Sequence, residues 1–305
     1  SITSLIGKEA QEWRVTEVGD GNLNLVFVVE GKSATIIVKQ ALPYVRVIGD
    51  SWPLSLKRAF FEHETLNRQA KRDPGSVPQI YYFDKEQAII AMEMLSPHVI
   101  LRKKLIAGEY VNGLGKTLGH FCARTAFRGS DLSLPTNEKK KDTALFQGNV
   151  ELMAITENLV FTDPYFEAEM NHQTQGLEPV VENLRSDISL KTEAQKILLK
   201  FSSNTETLLH GDLHSGSVMC TETETKIIDP EFGFYGPMGF DIVMLISNFL
   251  MAYFSQPGHR TENNLEEYQD WILSVIDEIY SAFISEFSNL WHNERQGILF
   301  PKSLF

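Results

Sequence analysis

Residues 208–231 read LLHGDLHSGSVMCTETETKIIDPE and decide how the second half of the chain folds. Two short apolar runs, at 218–220 and 226–228, flank a polar turn, and this pattern predicts a two-stranded β-hairpin. Asp212 comes shortly before the hairpin, and the acidic turn at 229–231 follows it directly. The hairpin is therefore expected to bring the carboxylates of its two ends together.

The residue types at the two ends of this hairpin suit phosphoryl transfer. Asp212 can accept, or orient by hydrogen bonding, the proton of an attacking hydroxyl group. Asp229 and Glu231 offer hard oxygen ligands for Mg²⁺ that bridges the phosphates of a nucleotide. This division of roles predicts an ATP-dependent kinase, with Asp212 as the catalytic residue and Asp229 and Glu231 at the metal.

The first hundred residues have a different pattern, in which short β-branched runs alternate with turn residues. Such runs predict an antiparallel sheet, and a helical stripe over residues 57–69 places one helix between the third and fourth strands. The predicted strands are residues 13–18, 25–29, 34–39, 79–83 and 88–95.

A glycine-rich segment joins the first two predicted strands and contains Gly19, Gly21, Asn22 and Asn24. A dinucleotide-binding loop opens a helix, whereas this one leads into a strand. Strand, loop and strand is the arrangement that covers the phosphates of ATP in kinases. The segment is therefore predicted to contact the nucleotide.

Lys39 ends the otherwise apolar third strand, where an unpaired ammonium would be costly to bury. The helix that follows offers Glu62 and Glu64 as partners, and either could hold the lysine toward nucleotide phosphates. Glu62 is the preferred partner, because it follows the apolar pair Phe60-Phe61 on the stripe expected to face the sheet.

Beyond Ser96-Pro97-His98 the sequence becomes mainly helical, so we place a boundary there between an N-terminal lobe, 1–96, and a C-terminal lobe, 97–305. The fold class is α+β, a two-lobed protein-kinase-like fold. A polar run at 135–142 is expected to be an exposed loop. The predicted helices are residues 114–128, 149–160, 180–202, 240–254 and 265–290.

Composition excludes several classes of protein. The 305 residues are 43% hydrophobic, which suffices for a sizeable core, and the net charge of -12 argues against a nucleic-acid partner. The most apolar stretch, 242–254, is too short to cross a membrane. Cys122 and Cys220 are too few for a disulfide scaffold, so a reducing cytoplasm is the expected location.

The histidines support a rival hypothesis. His210, Asp212 and His214 alternate as metal ligands on a strand do, and with Asp229 they could hold zinc or iron in a metal-dependent phosphohydrolase. Such a site leaves the glycine-rich loop and Lys39 without a purpose. His210 is therefore predicted to be a structural residue of the catalytic loop.

Several stretches together resemble the methylthioribose kinases, a family in the aminoglycoside and choline kinase branch of the protein-kinase-like superfamily. The last two are highly specific to the family when they occur together. The matching stretches are GDGNLNLVF (19–27), IIVKQALPYVRVIGDSWPL (36–54), NVELMAITENLVFTDPY (149–165), LLHGDLHSGSV (208–218) and IIDPEFGFYGPMGFD (227–241).

The resemblance implies transfer of phosphate from ATP, with Mg²⁺, to the 1-hydroxyl of 5-methylthioribose in methionine salvage, by a homodimer. It implies that Met92, Glu93 and Met94 lie in the hinge whose backbone reads adenine. It also places Trp52 near the substrate, where packing in the core is an equally good interpretation. The remaining implied roles are Asp212 as base, Asp229 and Glu231 as metal ligands, Lys39 as phosphate contact, residues 19–24 as the covering loop and Asp241 as the support of the catalytic loop.

Two departures from the family keep alternatives open. Ser217 stands where the wider branch has a metal-binding asparagine, and the family's paired substrate-binding arginines have no Arg-Arg counterpart in this sequence. Besides the phosphohydrolase, the alternatives are a kinase for another sugar or amino alcohol and a kinase-like binding module without catalysis.

Overall fold

A computed structural model describes residues 2–7, 9–18, 23–45, 49–260 and 264–304 of the chain. Within these ranges no helix combines the length and the apolar content that a membrane span requires. In order, the elements of the first hundred residues are α1 (Ile2–Ile6), β1 (Arg14–Glu17), β2 (Asn24–Glu30), β3 (Thr35–Ala41), β4 (Tyr44–Val45), β5 (Gly49–Pro53), α2 (Arg58–Arg72), β6 (Ile80–Asp84), β7 (Ile89–Glu93) and β8 (Val99–Ile100).

Five of these strands form one antiparallel sheet in the order β1-β2-β3-β7-β6, which confirms the predicted sheet. Apolar side chains of these strands lie buried on one face of the sheet. Val29, Ile36 and Ala91 pack there against Ile6 of α1. Strand β3 lies in the middle of the sheet, so the side chain of Lys39 is carried by a rigid element.

The rest of the chain is mainly helical, as predicted. Its elements are α3 (Leu101–Ala107), α4 (Leu114–Arg128), α5 (Thr136–Phe146), α6 (Val150–Phe161), α7 (Glu178–Ser186), α8 (Ile188–Ser203), β9 (Thr207–Leu208), β10 (Val218–Cys220), β11 (Thr225–Ile227), β12 (Tyr235–Gly236), α9 (Phe240–His259) and α10 (Leu265–Asn293).

Helices α4, α9 and α10 build the main core of this half, in which Leu118, Leu245 and Ile279 are fully buried. Helix α4 approaches α10 very closely at Gly119, where an added Cβ would lie 2.5 Å from the carbonyl oxygen of Ile279. Cys122 and Cys220 are buried free thiols, as their apolar surroundings predicted.

The predicted hairpin is present as β10 and β11, with Val218 paired to Ile227 and Cys220 paired to Thr225. Its second strand begins one residue earlier than expected. Strand β8 pairs with the other edge of β10, so the hairpin belongs to a three-stranded sheet in the order β11-β10-β8. This added strand ties the hairpin to the segment that follows the large sheet.

The loop predicted at 135–142 is wrong, because the structure has helix α5 there, but most of these residues are exposed as expected. Its lysines and glutamate are good helix formers, and polarity alone does not distinguish an exposed helix from a loop. Lys139 on this helix is buried, donates a hydrogen bond to the carbonyl oxygen of Thr205 at 2.5 Å and lies 3.2 Å from Asp131. Lys139 therefore anchors to the protein a helix whose other residues from 136 to 141 are exposed.

The helix predicted over 180–202 is two helices, α7 and α8, separated at Asp187. The carboxylate of Asp187 accepts a hydrogen bond from the backbone N–H of Leu190 at 2.9 Å and so caps the start of α8. The short hairpin of β4 and β5, in which Tyr44 pairs with Pro53 and Val45 with Gly49, was not predicted.

Candidate active site

The catalytic loop predicted around Asp212 connects β9 to β10. Gly211 adopts φ +86°, and an added Cβ there would lie 2.2 Å from the carbonyl oxygen of Phe232, so this turn requires glycine. The side chain of Asp212 is 37% exposed. Ser217 donates a hydrogen bond from its hydroxyl to the backbone carbonyl of Asp212 at 2.9 Å, which fixes the loop beneath a carboxylate that remains accessible.

His210 supports this loop with both ring nitrogens. Its Nε2 lies 2.9 Å from the carbonyl oxygen of Ile228, and its Nδ1 accepts a hydrogen bond from the backbone N–H of Asp212 at 3.3 Å. These partners assign a neutral ring that donates through Nε2. Neither nitrogen is left for a metal ion, so His210 has the structural role predicted for it.

His214 lies beside Asp212, with Nε2 at 3.4 Å from the carboxylate. Its Nδ1 accepts a hydrogen bond from the backbone N–H of Gly216 at 2.8 Å, and Arg102 Nη2 is 2.9 Å away. His214 is thus held by backbone and side-chain contacts beside the carboxylate of Asp212.

Asp241, at the start of α9, holds the catalytic loop from below. Its two carboxylate oxygens accept hydrogen bonds from the backbone N–H groups of His210 at 2.7 Å and Gly211 at 3.0 Å. Burial raises the pKa of Asp241, while the hydrogen bonds from these two N–H groups act in the opposite direction. This is the position that the resemblance implied for supporting the loop.

We predict that Asp241→Asn loosens this support, because a carboxamide has one oxygen and would turn its NH₂ group toward a backbone N–H. The free energy of unfolding should fall by about 1–3 kcal/mol. Turnover should fall by about 10- to 100-fold as Asp212 loses its position. Urea unfolding and steady-state kinetics measure the two effects, and an unaltered unfolding midpoint would show that the two hydrogen bonds contribute nothing.

Lys39 connects the large sheet to the acidic turn. It is 7% exposed, and its ammonium donates a hydrogen bond to Glu62 Oε1 of α2 at 2.8 Å and contacts the carboxylate of Asp229. Burial alone would lower the pKa of Lys39, but the charges of Asp229 and Glu62 outweigh it and raise the pKa, so the lysine is charged. The predicted pair of Lys39 with Glu62 is present, whereas Glu64 pairs with Arg68 at 2.6 Å.

Asp229 has φ +70°, a left-handed conformation that is unusual for a residue other than glycine. The turn is anchored by a hydrogen bond from the backbone N–H of Ile228 to the carbonyl oxygen of Ser217 at 2.9 Å. The Asp229 side chain is 47% exposed. Desolvation would raise the pKa of Asp229, but contact with Lys39 overcomes it and lowers the pKa, so the carboxylate is ionised.

Glu231 is more enclosed, with 4% of the residue exposed. Its carboxylate accepts a hydrogen bond from Asn24 Nδ2 at 3.3 Å and lies 3.2 Å from Arg58 Nε. Burial raises the pKa of Glu231, and the charges of Lys39 and Arg58 oppose that rise. Asn24 begins β2, so the end of the glycine-rich segment touches the acidic turn.

The carboxylates of Asp229 and Glu231 fit a magnesium ion. Proteins bind Mg²⁺ through one or two carboxylates, and phosphate oxygens and water complete the octahedron. Among the residues that the structure describes, no three histidine, cysteine, aspartate or glutamate side chains gather as a metal-binding group. The protein would therefore supply two carboxylates, and the nucleotide would supply further oxygen ligands.

Some predicted site residues cannot be placed. Gly19, Gly21 and Asn22 lie outside the described residues, and so does the side chain of Trp52. Met92 and Glu93 end β7, where the backbone N–H of Glu93 donates to the carbonyl oxygen of Gln79 at 2.8 Å. The nucleotide-binding role of this segment remains a prediction.

Arg58 was missed from the sequence, although the structure places it in contact with Glu231. A signal was available, since Arg58 lies four residues before Glu62 and therefore on the same face of the helix. The position on the helix does not by itself name Glu231 as the partner of this cation.

A cavity of about 720 Å³ lies elsewhere, between α2, α4 and α5. Arg68 and Arg128 in its wall already pair with the carboxylates of Asp142 and Glu294. Arg128 also contacts the carbonyl oxygen of Arg72 at the end of α2. These cations satisfy helix ends and acidic side chains of the chain itself, so we assign the cavity no ligand.

Comparison with known proteins identifies the family and the fold of the chain. The sequence pattern of the phosphotransferase enzyme family matches residues 14–271, so the chain belongs to that family. A glucosamine kinase solved in complex with glucosamine, ADP and inorganic phosphate has a similar fold, with a TM-score of 0.52 and 14% identity over 93% of this chain and 72% of that chain. The likeness supports the protein-kinase-like fold.

Curated relatives narrow the assignment within that family. The methylthioribose kinase of Escherichia coli O45:K1 (strain S88 / ExPEC) is 50% identical over 94% of this chain and 69% of the relative. Methylthioribose kinase 1 of Oryza sativa subsp. japonica is 40% identical over 97% of this chain and 70% of the relative. Similarity of this extent places the chain among the methylthioribose kinases.

Proposed function

We propose that this protein transfers the γ-phosphoryl group of ATP to the 1-hydroxyl group of 5-methylthioribose, a step of methionine salvage. The observation that carries the proposal is the contact of Lys39 with Asp229 at one end of a hairpin whose other end is preceded by the accessible Asp212. Phosphoryl transfer depends on such positioning and charge stabilisation rather than on covalent catalysis. The relatives named as methylthioribose kinases supply the identity of the acceptor.

In the proposed reaction the 1-hydroxyl oxygen attacks the γ-phosphorus of ATP. Its proton passes to the carboxylate of Asp212, which the hydrogen bonds to Asp241 and Ser217 hold in place. The bond between the γ-phosphorus and the bridging oxygen breaks, and ADP leaves. The products are the sugar 1-phosphate, ADP and the proton that Asp212 later releases.

Asp229 and Glu231 would hold Mg²⁺, which neutralises negative charge on the phosphates when it is bound. Lys39 supplies a fixed positive charge to the same phosphates. Glu62 keeps the ammonium in place, since Nζ and Oε1 are 2.8 Å apart in a buried site. These side chains come from a central strand, a helix and a hairpin end, so the charges are set before the nucleotide arrives.

The proposal assigns the nucleotide to the junction of two lobes, residues 1–96 and 97–305. Residues 19–24 would cover the phosphates, and the backbone of residues 92–94 would read adenine. Support comes from the position of Asn24, which reaches the acidic turn from the end of the covering loop. Trp52 would lie near the sugar.

The proposal extends to a cytoplasmic homodimer. Support for a reducing compartment comes from Cys122 and Cys220, which are both buried and free. Support for the dimer comes from the resemblance to the family. Light scattering of the purified protein measures the mass directly, and a mass near twice 34.6 kDa is the expected result.

The acceptor is tested by a coupled assay of ADP release with methylthioribose, ribose, choline and homoserine in parallel. Methylthioribose should give the highest kcat/KM. The hydroxyl group of choline would not lie where the attacking oxygen must be. Choline should therefore give little ADP above the background without acceptor. Equal rates with all four compounds, or release without any of them, would reject the proposed acceptor.

A further inference from the structure

Arg58 occupies a position in the site that neither the sequence nor the family assignment singled out. It opens α2 and is 2% exposed. Its guanidinium donates to the carbonyl oxygen of Leu42 at 2.6 Å, to the carbonyl oxygen of Leu23, and to Asn24 Oδ1 at 3.3 Å. Its Nε lies 3.2 Å from Glu231. The guanidinium also donates to the carbonyl oxygen of Ser55 at 3.2 Å. The side chain therefore has four hydrogen-bond acceptors, and its contact with Glu231 is an ion pair without a hydrogen bond from Nε.

Apart from Ser55, which lies just before α2, these partners come from three separate segments of the chain. Leu23 and Asn24 are where the glycine-rich segment enters β2, Leu42 follows β3, and Glu231 belongs to the acidic turn. Arginine suits such a place, because its planar fork has five N–H donors in fixed directions. A lysine carries the same charge but a single ammonium, which cannot reach acceptors on three segments at once.

The charges of the site divide into two groups. Lys39 contacts the carboxylates of Glu62 and Asp229, while Arg58 lies against Glu231. Glu231 therefore has Arg58 as its ion-pair partner in direct contact, and Lys39 acts on it from a longer distance. Because a carboxylate enclosed in this way is held by few partners, the direction of its oxygens depends on Arg58 and on Asn24.

We infer that Arg58 is a positioning residue of the reaction: it fixes Glu231 and Asn24 relative to each other, so that the acidic turn and the covering loop bind one magnesium-complexed nucleotide together. The inference rests on the proposed function, since it concerns the nucleotide of that reaction. Arg58 acts through these two side chains and need not touch the nucleotide.

The test is Arg58→Lys, which keeps the charge and removes the fork. Calorimetry measures the dissociation constant of ADP with and without Mg²⁺. Without Mg²⁺ the constant should stay within about threefold of the wild-type value, because the charge near the phosphates is retained. With Mg²⁺ the affinity should fall by about 10- to 100-fold, as for other side chains that orient metal ligands.

A double-mutant cycle separates positioning from general damage to the fold. In a Glu231→Gln background, Arg58→Lys should alter the Mg²⁺-dependent gain in ADP affinity by less than about twofold, because the side chain that Arg58 orients is already changed. Arg72→Lys is the matched control. It changes another buried arginine of α2 and should leave the Mg²⁺-dependent gain unaltered.

Two results would overturn the inference. In the first, Arg58→Lys leaves the Mg²⁺-dependent gain in ADP affinity unchanged. In the second, Arg58→Lys lowers this gain by the same factor in the Glu231→Gln background as in the wild type, so that the two residues act independently. If Arg58→Lys does not fold, thermal unfolding of Glu231→Gln without Mg²⁺ decides. A lower Tm supports the pair, since a buried guanidinium loses its counter-charge, and an equal or higher Tm rejects it. A wild-type protein whose ADP affinity ignores Mg²⁺ instead contradicts the proposed function itself.

Discussion

Replacing Asp212 by Asn is expected to lower kcat by about 10²–10⁴, the range for loss of a positioned general base. The carboxamide has nearly the same shape but cannot accept the proton of the attacking hydroxyl. The loop should keep its conformation, because its hydrogen bonds to Asp241, Ser217 and His210 use backbone groups of residues 210–212. Steady-state kinetics at saturating ATP and sugar measure the loss.

The dissociation constant of Mg²⁺-ADP should change little in this variant, since the nucleotide contacts are assigned to Lys39 and the acidic turn. Asp187→Asn is the matched control, because Asp187 caps α8 on the surface and asparagine caps helices equally well. It should retain wild-type turnover. An Asp212→Asn enzyme that turns over at the wild-type rate would falsify the catalytic role of Asp212.

Lys39→Met is expected to have the second large effect, on stability as well as on turnover. Removing the ammonium leaves Glu62 buried without its partner, and breaking a buried ion pair costs about 3–5 kcal/mol. Turnover should fall by about 10²–10³, the loss typical of one fixed electrostatic contact to a transition state. Urea unfolding and kinetics at a temperature where the variant is folded measure the two quantities.

The double variant Lys39→Met/Glu62→Leu separates these two effects. Apolar residues in place of both charges should restore most of the lost stability, because neither charge is then buried alone. Turnover should stay low. Lys32→Met, at an exposed turn of the same sheet, is the control and should match the wild type in both measurements. Recovery of turnover in the double variant would mean that the lysine has no part in the chemistry.

Much of the fold was predictable because local pattern and tertiary structure agree. Strands β2 and β3 are short β-branched runs that stay strands in the sheet, and the hairpin of β10 and β11 follows from apolar runs around a polar turn. The pairing of Lys39 with Glu62 was predictable for the same reason. A buried lysine requires an anion, and helical periodicity decides which carboxylate faces inward.

What the sequence did not reveal depends on contacts between distant segments. Lys139 anchors α5 through contacts with Asp131 and Thr205. The pattern of residues 135–142 does not predict these contacts. The contact of Arg58 with Glu231 joins residues 173 positions apart, the difference between their numbers. Patterns within one element identify its buried face, but they do not name the partner from another part of the fold.

The central claim is that two acidic ends of one hairpin direct the phosphate of ATP onto a sugar hydroxyl. Phosphorus NMR of the protein incubated with ATP, Mg²⁺ and methylthioribose tests it most directly. The account predicts one new phosphate ester, coupled to the anomeric proton, for each ADP formed. Inorganic phosphate formed in step with ADP, with no ester signal, would contradict it.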